Sequence, residues 1–207
     1  RRAREAILAA ILEEGTSGDP PFLAQAFGLD RTDAALLQVP LIGLPLDREL
    51  LRRTVERVEG ELRSGAFVYR YRGGDGVPGD EGAFFITSFW LVEAMLVTGR
   101  ADEARALFER LLEEANDVGL YAEEVDPESG AFLGNFPQAF THLSLVSSAA
   151  LLHLHELGGR KALEGTNTDR ARRLVGATEG IRALFHALVR NRGVRLLSSR
   201  KSVLALT

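Results

Sequence analysis

Apolar residues recur at helical spacing in two segments of the chain, and each segment carries charged residues on its opposite face. In the first segment the apolar positions are Leu51, Val55, Val58 and Leu62. Asp47 precedes them and can cap the first turn, so the pattern predicts an amphipathic helix over residues 47–63. The same pattern predicts a second amphipathic helix over residues 101–115, with Gly119 beyond its end.

Two further segments, residues 83–97 and 143–157, are almost wholly apolar, which is typical of helices that are buried on most sides. Because apolar and charged helices alternate along the chain, we expect an inner and an outer layer. A weak repeat with a period of about 50 residues supports this, since each charged helix is followed by a glycine and a tyrosine that opens a polar loop. Residues 68–71 alternate over too short a run to predict a sheet. The pattern thus favours an all-α fold.

Composition narrows the choice of partner. The chain has 207 residues, of which 45% are hydrophobic, and this is enough for one domain with a sizeable core. A net charge of −4 gives no electrostatic reason to expect a nucleic acid or an anionic membrane. No apolar run approaches the roughly 20 residues that span a bilayer. The chain has no cysteine, which excludes disulfides and thiolate metal sites, and we expect a cytoplasmic protein.

The two ends of the chain differ from its middle. The first residues are typical of a helix whose natural start lies further upstream. From Gly158 onward a glycine-rich, linker-like stretch leads into a basic helical pattern. We therefore predict a domain over residues 1–157, and a linker with a basic C-terminal helical tail over residues 158–207. The arginines of this tail are interpreted as a solvated helix face rather than as an anion-binding patch.

Two polar loops that follow the charged helices carry the candidate chemistry. Residues 121–127 include Glu123, Glu124 and Asp126, and residues 69–76 offer arginine and tyrosine side chains. Taken alone, the acidic loop is more typical of a solvated surface. Carboxylates that face guanidinium groups and aromatic rings would instead suggest a carbohydrate site, because loops held by rigid helices often carry function.

The sequence predicts neither a metal site nor a cofactor. His153 and His155 are two residues apart on a predicted helix, so they point to different sides. The acidic residues Asp75, Asp80 and Glu81 lack the alternate-oxygen spacing of a helix-loop-helix calcium site.

Six motifs give the chain a resemblance to a known enzyme family. They are Asp75–Phe84, Ser88–Ala94, Gly99–Arg105, Asn116–Leu120, Ala122–Pro127 and Gly134–His142. In order and spacing they resemble the last half of the catalytic domain of glycoside hydrolase family 15, the group of glucoamylases, glucodextranases and bacterial trehalases. The resemblance is specific from about residue 33 to residue 157.

The resemblance implies helical hairpins that form the C-terminal half of an (α/α)6 toroid, with a pocket for a terminal glucosyl unit at one end. It also implies inverting hydrolysis of an α-glucosidic bond in an oligosaccharide or disaccharide, such as a maltooligosaccharide or trehalose, without a cofactor. By the resemblance, Glu123 is the general base and Arg70 holds sugar hydroxyls near the cleaved bond. Phe84, Gln138 and His142 would lie at or near the pocket wall. His142 is equally well explained as a hydrogen-bonded core histidine.

The chain departs from the family pattern at the proton donor. In the family, the general acid is a glutamate in a tryptophan-containing segment upstream of every matched motif, and the only tryptophan here is Trp90. Cleavage needs a protonated and an ionised carboxyl on either side of the bond, and the adjacent Glu123 and Glu124 cannot form that pair. We therefore expect little or no activity from this chain without the missing N-terminal half. The alternative is a noncatalytic carbohydrate-binding or structural helical module.

Overall fold

The computed structural model describes residues 1–72 and 81–176. Helices form most of this part, which confirms the predicted helical fold class. The helices are α1 (Arg2–Glu14), a 3-10 helix (Ala34–Gln38), α2 (Val39–Ile42), α3 (Arg48–Leu62), α4 (Phe85–Thr98), α5 (Ala101–Glu113), α6 (Ala139–Ala162) and α7 (Asn167–Gly176). The strands are β1 (Thr16–Ser17), β2 (Phe22–Leu23), β3 (Arg63–Ser64), β4 (Phe67–Val68), β5 (Ala83–Phe84), β6 (Glu124–Val125) and β7 (Phe132–Leu133).

The core is built around α4, which packs against α3, α5 and α6. Its side chains are buried along most of its length, including Phe89 and Met95, and this explains why its sequence shows no polar face. In contrast, α3 and α5 bury one apolar stripe each and carry ion pairs on the other side. The alternation of apolar and charged segments therefore corresponds to a central helix with amphipathic helices around it.

The predicted bounds of α3, α4 and α5 are within two residues of the observed ones. Helix α6 is longer than the predicted 143–157. It begins four residues earlier because Gln138 caps it, with its side chain accepting a hydrogen bond from the Phe140 N–H at 3.4 Å. It also continues beyond Gly159, whose non-helical backbone (φ 61°) marks a kink.

The described residues also form a small sheet, which the local alternation in the sequence was too short to predict. Strands β3 to β7 form a five-stranded antiparallel sheet in chain order. Each strand has two residues, which is too short for the alternation that reveals a strand in sequence. The sheet joins the end of α3, the start of α4 and the loops on both sides of residue 130, so it fixes the acidic loop against the central helix.

The C-terminal region begins as part of the helical core. Leu163 is buried, and the buried Arg170 of α7 donates hydrogen bonds to the carbonyl oxygens of Leu41, Leu163 and Gly165. The predicted division at residue 157 remains a prediction. The basic tail beyond residue 176, and the loop that contains Asp75 and Asp80, lie outside the described residues. Within the described residues, no helix has the length and apolarity to cross a membrane.

Candidate active site

A cavity of about 250 Å³ opens at the N-terminal ends of α4 and α6. It brings together four residues that the sequence singled out in four separate segments: Arg70, Phe84, Glu123 and Gln138. Trp90, one turn into α4, adds a second aromatic ring to the wall. A concave site with one carboxylate, one guanidinium group and aromatic rings is suited to a small polar ligand with apolar faces, such as a sugar.

Glu123 lies directly before β6, and its backbone is held on both sides. Its N–H donates to the carbonyl oxygen of Asn135 at 2.9 Å, and its own carbonyl accepts from the N–H of Phe85 at 3.2 Å. The carboxylate is held as well, because Oε2 accepts from the backbone N–H of Asn135 at 3.1 Å and from its side-chain Nδ2 at 2.8 Å. The half-buried carboxylate is thus fixed at the cavity wall.

Gly134 allows this close approach. A Cβ atom at this position would lie 2.9 Å from Oε2 of Glu123 and 3.0 Å from its Cβ, closer than side-chain atoms normally pack. The backbone of Gly134 also has φ +68°, which an L side chain rarely adopts. Glycine is therefore the residue that fits between this loop and the carboxylate.

Arg70 lines the same cavity as Glu123. Its Nη2 donates to the hydroxyl of Tyr71 at 2.8 Å and to Oε1 of Glu81 at 2.9 Å. The guanidinium carbon lies 5.4 Å from the ring centroid of Phe84, within the range of a cation–π contact. These contacts orient a cationic donor group toward the cavity.

Glu124 is not among the residues that line the cavity with Glu123. Its Oε2 accepts a hydrogen bond from the N–H of Gly82 at 2.9 Å. Burial raises the pKa of the Glu124 carboxyl, and the negative charges of Glu81 and Glu123 add to this effect. The two neighbouring glutamates thus have different surroundings, as expected for adjacent residues at the start of a strand.

His142 lies outside the cavity lining. Its Nδ1–H donates to the carbonyl oxygen of Gln138 at 2.7 Å, and its Nε2 accepts from the N–H of Tyr121 at 3.4 Å. Its ring also packs edge-on against Tyr121, with centroids 5.7 Å apart. The geometry fits the hydrogen-bonded core histidine that the sequence left open, because Nδ1 binds the N-cap residue of α6 and Nε2 binds the loop that carries Glu123.

Sequence reasoning missed several residues of the wall, among them Asp33 and Phe140. Asp33 accepts hydrogen bonds from the N–H of Ala35 at 2.7 Å and from Nε2 of Gln25 at 3.4 Å, so it caps the 3-10 helix. The Ala34 N–H donates to the carbonyl oxygen of Arg70 at 2.8 Å, which brings this cap to the cavity. Phe140 in the first turn of α6 is 65% exposed. In the sequence, an aspartate before an apolar run indicates a helix cap. No local pattern indicates that this cap contacts residue 70.

A cavity in a helical core that presents a carboxylate, an arginine and aromatic rings is suited to a carbohydrate ligand. The family model for glycosyl hydrolases family 15 matches residues 1–150. The chain therefore belongs to glycosyl hydrolases family 15.

Relatives in this family are trehalases. A trehalase of Mycobacterium tuberculosis is 45% identical over 158 residues, which are 74% of this chain and 23% of that protein. A trehalase of Thermoplasma volcanium is 42% identical over 144 residues, 69% of this chain and 23% of that protein. Trehalase 2 of Sulfolobus acidocaldarius is 32% identical over 139 residues, 67% of this chain and 24% of that protein. No solved structure gives a significant match. The chain spans about a quarter of the length of these curated relatives.

Proposed function

We propose that this chain supplies the general-base side of an inverting glycosidase site that cleaves an α-glucosidic bond, with trehalose as the first substrate to test. The observation that carries the proposal is the Glu123 carboxylate, which is anchored at the wall of a cavity that Arg70 and Phe84 also line. Family membership and the trehalase relatives support the reaction class.

The arrangement fits the task of a general base. An inverting enzyme needs an ionised carboxylate that takes a proton from water while the water oxygen attacks the anomeric carbon. Oε2 of Glu123 is used by Asn135, and within the described residues Oε1 has no hydrogen-bond partner. Oε1 is thus available to a water in the cavity. Arg70 can donate to sugar hydroxyls, and the rings of Phe84 and Trp90 can cover the apolar faces of the sugar.

The proton for the leaving group must come from a second carboxyl. Asp33 is the other carboxylate in the described lining, and its Oδ1 accepts from the Ala35 N–H as the cap of the 3-10 helix, which is a structural role within this chain. We infer that the acid belongs to polypeptide that the trehalase relatives have in addition to the matched quarter.

Exposed apolar side chains support a missing half of the toroid. Phe140 and Leu143 on α6 are 65% and 64% exposed, and Ile7 on α1 is 61% exposed. Helix α1 buries no residue at all among those described. Large apolar side chains on adjacent turns usually mark a surface that another element covers. We propose that further helices of the family-length polypeptide cover these faces and close the pocket.

The test compares two proteins on trehalose and maltose. One is the chain of residues 1–207, and the other is the completed enzyme, meaning this chain together with the polypeptide encoded directly upstream of it. We expect no glucose from the chain alone. From trehalose we expect the completed enzyme to release one β-glucose, from the attacked residue, and one α-glucose, the leaving residue, so both anomeric signals should rise equally at the start in proton NMR. Release of β-glucose by residues 1–207 alone would contradict the incomplete-site proposal, and α-glucose as the sole initial product from trehalose would contradict the inverting mechanism.

A further inference from the structure

Asn135 makes three hydrogen bonds with one residue, Glu123. Its carbonyl oxygen accepts from the Glu123 N–H at 2.9 Å, while its N–H and its Nδ2 donate to Oε2 at 3.1 and 2.8 Å. Gly134 places the loop so close that no side chain fits at that position. The loop therefore closes on the carboxylate group itself and not only on its backbone.

Because both Asn135 donors bind Oε2, the two carboxylate oxygens of Glu123 differ in their hydrogen bonding. Oε2 has its acceptor directions occupied by Asn135, and its position is fixed relative to the backbone that bears it. Rotation of the carboxylate would break the 2.8 Å and 3.1 Å hydrogen bonds together. Hydrogen bonds to an ionised acceptor are stronger than those between neutral groups, so this orientation is well defined.

We propose that Asn135 is a positioning residue that commits Oε2 of Glu123 to the protein and thereby makes Oε1 the atom that accepts the proton of the attacking water. This inference rests on the proposed function of Glu123 and deepens it. In the step, a water O–H bond breaks and its proton goes to Oε1. The water oxygen bonds to the anomeric carbon, and the glycosidic oxygen leaves with a proton from a second, protonated carboxyl outside this chain.

A sugar-binding role for Asn135 would predict a different result. If its amide held a substrate hydroxyl, its loss would raise KM. Because its Nδ2 is used by Glu123 and the cavity lining does not include it, we expect its loss to act on the chemical step instead. A misplacement of a reacting group by about 1 Å can cost roughly 100-fold in rate.

The first test needs no activity and uses residues 1–207. An amide proton that donates to a carboxylate changes its chemical shift when that carboxylate is replaced by a neutral group. We expect the backbone amide and the side-chain Nδ2 protons of Asn135 to shift together in a Glu123→Gln variant, because both donate to Oε2. Asn135 protons that do not respond to Glu123→Gln would overturn the proposal, even if the completed enzyme hydrolyses trehalose.

The second test uses the completed enzyme. Asn135→Ala is expected to lower kcat by about 10-fold to 100-fold with KM nearly unchanged. Asn135→Asp, which puts a second carboxylate against Oε2, is expected to lower kcat further. The matched control is Asn167→Ala, which removes an amide that accepts from Arg170 in α7, far along the chain from the site. This variant should lose stability but keep its kcat.

The outcomes separate the two proposals. An unchanged kcat in Asn135→Ala, beside an active wild-type enzyme, would overturn the positioning role and leave the proposed function standing. A rise in KM alone would overturn it as well, in favour of sugar binding. A completed wild-type enzyme without any turnover would overturn the proposed function and, with it, the catalytic meaning of Asn135.

Discussion

Glu93 is a carboxyl buried in the middle of α4, away from the cavity that Glu123 lines. The hydroxyl of Ser148 lies 3.2 Å from its Oε1. Burial raises its pKa from 4.5 to about 7, and hydrogen bonds from Ser147 and Ser148 and the charge of Arg170 offset part of this shift. A carboxyl with these properties stays protonated in the folded protein at pH values where the unfolded chain has lost the proton. The stability of the protein therefore depends on pH in this range.

The direction in which stability changes with pH follows from the number of protons that the folded and unfolded states bind. Between pH 4.5 and about 7 the folded protein holds the Glu93 proton while the unfolded chain has released it, so the free energy of unfolding falls as pH rises through this window. Glu93→Gln keeps the group neutral. We expect the variant to be more stable than wild type by about 3 kcal/mol near pH 8 and by much less near pH 5, measured by urea unfolding.

The control for this prediction is Glu128→Gln, which changes an exposed loop glutamate. Its unfolding free energy should follow wild type at both pH values. If Glu93→Gln gave the same offset from wild type at each pH, Glu93 would not be the group that causes the dependence.

At the scale of elements, Tyr121 connects the outer helix α5 to the loop that carries Glu123. Its hydroxyl donates to the carbonyl oxygen of Leu111 at 3.1 Å, and its ring packs edge-on against Phe85 and Phe89 of α4. Tyr121→Phe keeps the ring and removes one buried hydrogen bond. We expect a loss of about 1 kcal/mol in unfolding free energy.

Tyr69→Phe is the matched control for this change. Tyr69 also packs against the core, but its hydroxyl makes no hydrogen bond within residues 1–72 and 81–176. The control should lose a few tenths of a kcal/mol at most. Equal losses in the two variants would show that the Tyr121 hydroxyl does not tie the loop to α5.

The elements differ in how well the sequence predicts them, for a physical reason. Helices α3, α4 and α5 each contain more than ten consecutive helical residues, so their periodic pattern is visible in the sequence itself. Strands β3 to β7 have two residues each and form because two helix ends and two loops meet. Their existence depends on contacts between residues far apart in sequence, which no local pattern records.

The same distinction holds for the site. Glu123, Arg70 and Phe84 lie in motifs that the sequence displays, and the structure brings them to one cavity. The contact between Asn135 and Glu123 spans twelve positions and depends on the left-handed backbone of Gly134. His142 was ambiguous because a histidine near an apolar helix serves the core and a pocket wall equally well.

At the scale of the whole molecule, the described part of the chain leaves large apolar side chains exposed. Phe136, Phe140, Leu143 and Leu157 are all about half exposed or more, and α1 contributes nothing to the core of the described part. We expect residues 1–207 to self-associate in sedimentation velocity experiments, because exposed apolar surface drives association. A Phe140→Ser, Leu143→Ser double variant should reduce the association, whereas a monodisperse wild-type monomer would contradict an uncovered face.

The central claim is that the base of the reaction lies in this chain at Glu123. Its most direct test is the turnover of trehalose by the completed enzyme with Glu123→Gln, beside the neighbouring change Glu124→Gln. We predict that Glu123→Gln lowers kcat by about 10² to 10⁴ while substrate still binds, and that Glu124→Gln, whose amide oxygen can still accept from Gly82, keeps most of the activity. A Glu123→Gln enzyme that retains wild-type turnover would contradict the account.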